Sequence, residues 1–234
     1  MLHNFDFLNN GNSDYLIKKA TQKQYFVNSK NSQLIIYNSL IIIPIFVFQT
    51  QHFIMSQKVL LTSKEVNIIL HRLACQLIEK HLDFSDTILV GIQPRGTFMA
   101  ERLKNLLEKE YHVSPITLGY LDITFFRDDF RRTEKPLEAN KTNINFIVDN
   151  KKVVFIDDVL YTGRSIRSAL TAIQSFGRPS EIELLVLIDR RFSRHLPIQP
   201  DYRGRQVDAI NNEKVKVSWK EQDGEDGVYL INNN

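Results

Sequence analysis

The chain has 234 residues, 30 of them Lys or Arg and 27 Asp or Glu, for a net charge of +3. A balance this near neutral gives no bulk electrostatic argument for a nucleic-acid partner; only a local basic patch can supply one. Cys75 is the single cysteine, which excludes an internal disulfide and any cysteine-rich metal site.

Residues 1–54 differ in composition from everything after them. They hold no Arg and no Glu, only Asp6 and Asp14 as acids, four Lys, and many Asn, Ile and Phe, with neither helical nor alternating periodicity. Such a bias is what AT-rich noncoding sequence would encode, so the expectation is a disordered leader or a misassigned start, with the native chain opening at Met55. The apolar run at residues 34 to 48 is broken by Asn38, Ser39 and Pro44 and falls short of the ~20 residues that cross a bilayer. No small-residue cleavage site follows it, and no membrane association is expected. Without the leader's four Lys and two Asp, the totals become 26 basic and 25 acidic residues over 55–234, one domain of 180 residues.

Thr62 and Glu65 have the spacing of a capping box, and Val66, Ile69, Leu70, Leu73, Ala74, Leu77 and Ile78 follow at helical intervals. Cys75 falls among these apolar positions, as a small buried hydrophobe would. The other face carries Lys64, His71, Arg72 and Lys80, by default a solvated surface. Residues 87 to 92 then read as a short buried strand, Gln93-Pro94-Arg95-Gly96 as a turn, and Phe98, Leu103, Leu106 and Leu107 as a second helix. Arg95 and Gly96 therefore stand at the carboxyl end of a strand, where open α/β sheets place ligands. Residues 116 to 126 read as another strand. The polar, aperiodic stretch at 127 to 145 is long for a connection inside a compact domain and has the character of a lid.

Val153, Val154, Phe155 and Ile156 form an apolar run that stops at Asp157 and Asp158 and gives way to a short loop, Val159-Leu160-Tyr161-Thr162-Gly163-Arg164-Ser165. Behind it Ile166, Leu170, Ile173 and Phe176 mark a helix. A strand, a loop and a helix N-terminus converge backbone N–H groups and the positive end of a helix dipole on one point, which suits a phosphate. Gly163 allows close approach, and Thr162 and Ser165 add hydroxyl donors. The Gly and Lys spacing of a nucleoside-triphosphate loop is absent. Two carboxylates beside a phosphate cradle call for vicinal hydroxyls, and a 5-phosphorylated ribose carries both groups.

Residues 182 to 188 form a further buried strand running into Asp189. Arg190, Arg191, Arg194, His195, Arg203 and Arg205 then make the one clearly basic patch. Val215, Val217 and Trp219 alternate as an edge strand, and Val228, Tyr229 and Leu230 read as the last.

The run from Val153 to Ser165 resembles the phosphoribosyl pyrophosphate (PRPP) loop of the type I phosphoribosyltransferases. Leu89-Val90-Gly91-Ile92 with Arg95-Gly96, Leu121-Asp122-Ile123-Thr124 with Arg127-Asp128-Asp129, Gly177-Arg178-Pro179-Ser180 and Leu196-Pro197-Ile198 narrow the resemblance to the PyrR family. It covers residues 55–234 and none of 1–54. The resemblance implies an α/β fold with a central, mostly parallel sheet flanked by helices and a flexible lid loop bearing Asp122, Arg127 and Asp128. It implies a cytoplasmic, homodimeric or larger enzyme that makes UMP from uracil and PRPP, and that senses UMP or UTP while binding pyr leader mRNA. Asp157 and Asp158 would fix the ribose, Tyr161 to Ser165 the 5-phosphate, and Pro94-Arg95-Gly96 the pyrophosphate, with Arg95 neutralising it. Asp157, Asp158 and Arg95 would be the catalytic set. The base would sit at Ile188, Asp189 and Arg190, and RNA on a face with His71, Arg72 and Arg194. Mg²⁺ would be held mostly by the substrate. The segment Asp189 to Leu196 is one residue longer than the family pattern, with Arg191 where glycine is usual. Transfer to a purine or orotate, or nucleotide and RNA binding without turnover, are the alternatives.

Overall fold

The computed structural model describes residues 33–36, 42–45, 57–113, 115–128, 140–209 and 213–232. The chain divides into two units, Met1–Phe53 and Ile54–Asn234. In the first, β1 (Gln33–Ile36) pairs antiparallel with β2 (Ile42–Ile45), Gln33 opposite Ile45 and Ile36 opposite Ile42. The sequence reading assigned no element there. Isoleucine dominates both segments, and its branched side chain favours the extended backbone.

The second unit opens with β3 (Gln57–Leu61) and α1 (Ser63–His81). The expected capping box is present: Glu65 N donates to Thr62 Oγ1, and Thr62 N donates to Glu65 Oε2 at 2.8 Å. Then come β4 (Thr87–Ile92), α2 (Gly96–Asn105) with a wider turn at Leu106–Glu110, and β5 (Thr117–Leu121). After these follow β6 (Lys152–Leu160), α3 (Arg164–Ile173), β7 (Glu181–Arg190) and β8 (Tyr202–Val207). The chain closes with β9 (Glu213–Ser218), the single-turn α4 (Lys220–Asp223) and β10 (Gly227–Asn232).

Five strands form a wholly parallel sheet in the order β5-β4-β6-β7-β8, and β3-β10-β9 form a separate antiparallel sheet. Along β6, Val154 and Ile156 pack with α1 and α2 while Val153 and Phe155 pack with α3. Burial on both faces explains why these strands read as unbroken apolar runs. The strand order reverses between β4 and β6, and the carboxyl ends of those two strands bound a crevice.

Two sequence expectations change. The strand expected to stop at the carboxylates continues to Leu160, because β7 is equally long and pairs Val159 with Ile188 and Leu160 with Asp189. The strand expected over 116 to 126 ends at Leu121. There Asp122 accepts from the N–H and hydroxyl of Thr124 (3.0 and 2.6 Å), turning the chain into a short 3₁₀ segment, Thr124–Phe126.

Candidate active site

The crevice is built by two strand-to-helix turns. On the β4 side the ladder with β6 stops at Gly91 opposite Ile156, so Asp157 and Asp158 lie beyond it at the mouth. Gly96 opens α2 directly against β6: a Cβ there would lie 2.3 Å from the Ile156 carbonyl oxygen, so only glycine fits. The Pro94-Arg95-Gly96 turn is thereby pressed against the carboxylates. Arg95 Nε donates to Asp158 Oδ2 at 3.1 Å.

Burial pushes the Asp157 carboxyl well above its usual range, and the neighbouring Asp158 charge adds to the effect. Burial raises Asp158 as well, offset in part by the Arg95 guanidinium. These are carboxylates held at some electrostatic cost, as at sites that bind hydroxyls or transfer charge.

The second turn follows β6. Gly163 adopts φ 88°, the left-handed region, and leads into α3. A cleft of about 230 Å³ is lined by Asp157, Tyr161 to Ser165, Arg127 and Asp128 among others. That is below the roughly 300–1,000 Å³ of whole ligand pockets, so it is one subsite of the crevice. Asp128 pairs with Arg164 at 3.1 Å and also with Arg167, a residue the sequence reading did not single out. Asp122 is buried at the end of β5, occupied with its own turn. Residues 129–139 of the expected lid lie outside the described residues.

Across the loop, Ile198 and Leu196 would stand 3.2 and 3.4 Å from a Cβ on Gly163, so the Leu196-Pro197-Ile198 block packs on the Gly163 turn. His195 N–H donates to the Thr162 carbonyl at 3.0 Å. Ile188 is core. The buried Asp189 carboxylate is taken by Arg194. Arg190 is buried too, its guanidinium 4.0 Å from the Tyr161 ring centre, and its Nε and Nη2 have no hydrogen-bond partner among the described residues.

Residues 56–222 match the phosphoribosyl transferase domain family. The bifunctional protein PyrR of Gloeothece citriformis is 44% identical over 172 residues, 74% of this chain and 96% of that protein. PyrR of Elusimicrobium minutum is 42% identical over 175 residues, covering 75% and 97%. The chain belongs to the PyrR family.

Solved structures place the PyrR-family unit in the type I phosphoribosyltransferase fold. A Staphylococcus aureus hypoxanthine phosphoribosyltransferase superposes with TM-score 0.54 at 22% identity, covering 75% of this chain and 91% of that one. The Trypanosoma cruzi enzyme gives 0.57 at 14%, covering 76% and 97%.

Of the three residues expected on an RNA face, His71 and Arg72 adjoin on α1 and Arg194 follows β7. His71 Nδ1 lies 3.2 Å from the Tyr111 hydroxyl, and Arg72 donates to the carbonyls of Arg203 (3.0 Å) and Gly204 (2.6 Å), tying α1 to β8. Arg194 instead bonds the Tyr161 carbonyl at 2.6 Å and pairs with Asp189. Sequence reasoning also missed Gln222 and Asp223, which hold Arg95 from the far end of the chain. No spacing signal relates positions 127 and 128 residues apart.

Proposed function

We propose that this chain transfers the phosphoribosyl group of PRPP to uracil, giving UMP and pyrophosphate. We propose further that it regulates pyrimidine genes by uridine-nucleotide-dependent binding of pyr mRNA, as a cytoplasmic homo-oligomer. Membership of the PyrR family supports both halves. The observation that carries the enzymatic half is the adjacency, at one reversal of strand order, of paired carboxylates and a left-handed glycine turn with hydroxyl donors. Asp157 and Asp158 accept from the ribose hydroxyls, and Thr162 to Ser165 hold the 5-phosphate. The C1–oxygen bond to pyrophosphate breaks, uracil N1 bonds to C1, and the N1 proton leaves. The chain's work is orientation and charge placement. The unpaired donors of Arg190 suit the carbonyl oxygens of a pyrimidine.

Among the described residues there is no cluster of three or more His, Cys, Asp or Glu side chains to hold a metal; Mg²⁺ would arrive on substrate oxygens. Bound there, it would neutralise charge on the departing pyrophosphate. No described helix is long and apolar enough to cross a membrane.

The test is product formation by the full chain from PRPP with uracil, hypoxanthine or orotate. UMP from uracil alone is expected. Product only from another base, or from none, overturns the enzymatic reading.

A further inference from the structure

Arg95 has five N–H donors, and four of them are already engaged by the protein. Nε bonds Asp158 (3.1 Å), Nη1 bonds Gln222 Oε1 (3.0 Å), and Nη2 bonds both the Val217 carbonyl and Asp223 Oδ2 (3.0 Å). A guanidinium so saturated is poorly placed to be the chief partner of a leaving pyrophosphate. Its fork instead spans two bodies of the fold: the carboxyl end of β6 in the parallel sheet, and the β9–α4 turn that belongs with the antiparallel sheet.

Asp223 is itself fixed. Its Oδ2 also accepts from the Trp219 N–H at 3.0 Å, and the Asp223 and Gln222 N–H groups return to the Trp219 carbonyl at 2.7 and 3.0 Å. Trp219 is fully buried and shields this turn from the core side. The Arg95 and Asp223 side chains are 27% and 20% exposed, so the contact is sheltered enough to hold geometry, unlike a freely solvated pair.

We infer that Asp223, seconded by Gln222, is a positioning residue of the active site. It holds Arg95 so that Nε stays on Asp158, and through Arg95 the C-terminal turn fixes the carboxylate that receives the ribose. Arg95 then acts through Asp158 more than on the pyrophosphate. The depression that Arg95 imposes on Asp158, against the upward push of burial, points the same way. The inference rests on the proposed role of Asp158 toward the ribose of PRPP.

The test is a double-mutant cycle on PRPP affinity, measured by calorimetry on the full chain, with Asp223→Asn and Asp158→Asn alone and together. If Asp223 works through Arg95 on Asp158, Asp223→Asn weakens PRPP binding about tenfold in the native background and less than about twofold once Asp158 is Asn. A turn with a merely structural role gives equal losses in both backgrounds, and that result overturns the inference. So does native affinity in Asp223→Asn. Asp223→Glu should recover most of the loss. Glu221→Gln weakens only the contact of α4 with Arg102 and should leave affinity unchanged, and Trp219, the only tryptophan in the chain, reports by its emission whether each variant keeps the turn. Failure of the native chain to bind PRPP would sink the proposed function itself, and this inference with it. PRPP binding with additive losses sinks this inference alone.

Discussion

Arg194 and Asp189 form an ion pair at the carboxyl end of β7, with the Asp189 side chain only 5% exposed. The same guanidinium bonds the Tyr161 carbonyl, so it fastens the turn after β6 to the strand beside it. Removing one partner of a buried pair costs about 3–5 kcal/mol, and partial exposure of Arg194 puts this one toward the lower end. Arg194→Ala is therefore expected to lower both melting temperature and uracil turnover.

Arg72 lies apart from that crevice, on α1 against β8. Arg72→Ala should leave uracil turnover within about twofold of native. If α1 contributes to an RNA face, the same variant weakens binding to a pyr leader hairpin and lowers the log–log salt slope by about 0.7–0.9 for each phosphate that Arg72 no longer neutralises. A hairpin affinity identical to native would remove Arg72 from that face.

Replacing Asp157 and Asp158 together by Asn keeps their shape but removes the charge and weakens both acceptors. Turnover should fall by about 100-fold or more, some 2.7 kcal/mol of transition-state stabilisation, with an unchanged circular dichroism spectrum. Uracil turnover near the native rate would show that these side chains do not serve the ribose.

Gly96→Ala tests how tightly the two turns are pressed together. Its methyl would meet the Ile156 carbonyl, backbone that cannot swing away. Overpacking of this kind costs about 1–3 kcal/mol. The expected result is a lowered melting temperature together with weakened PRPP affinity; an unperturbed variant would mean that α2 shifts freely.

At the opposite end of the sheet, His81 donates through Nε2 to Glu183 (3.0 Å) and accepts at Nδ1 from the Thr87 hydroxyl (3.0 Å), while Tyr202 donates to Glu183 (2.6 Å) and Lys80 pairs with it (2.6 Å). Burial holds His81 below its ordinary 6.5, Glu183 working against it. Burial alone would raise Glu183 above 4.5, but Lys80, Tyr202 and His81 outweigh it and hold it lower. As pH falls below 6.5 the unfolded histidine takes up its proton before the folded one, and below 4.5 the unfolded glutamate does the same. Both groups therefore lose stability toward acid. Melting temperature should decline from pH 7 to 4, and less steeply in His81→Gln.

Residues 1–54 are proposed to contribute nothing to the enzyme. Deleting them should leave melting temperature and turnover unchanged, and a large fall in either would assign the leader a structural part.

The βα units around β4, β6 and β7 were legible because two-sided burial writes strands as apolar runs, and α1 because its cap and stripe are local. β3 and β8 were not, since Gln57-Lys58 and Arg203-Gly204-Arg205 are polar stretches paired only by neighbours distant in sequence. The paired carboxylates and the glycine turn after β6 were readable for the same reason as β6: they are contiguous. What grips Arg95 was not, because Gln222 and Asp223 meet it only after the chain has folded. The pairing of Arg194 with Asp189 was not legible, because a run of arginines does not reveal which one finds a buried carboxylate.

The Asp128 carboxylate on Arg164 and Arg167 gives the proposed phosphate turn its own counter-ion. These side chains are substantially exposed, so the pairing is worth about 0–1 kcal/mol and yields cheaply to a dianion. Added salt then acts on both sides of the exchange, screening the incoming phosphate ester and loosening the carboxylate that it displaces. PRPP affinity should therefore be buffered against ionic strength, while a basic surface with no such internal substitute would lose its ligand steeply.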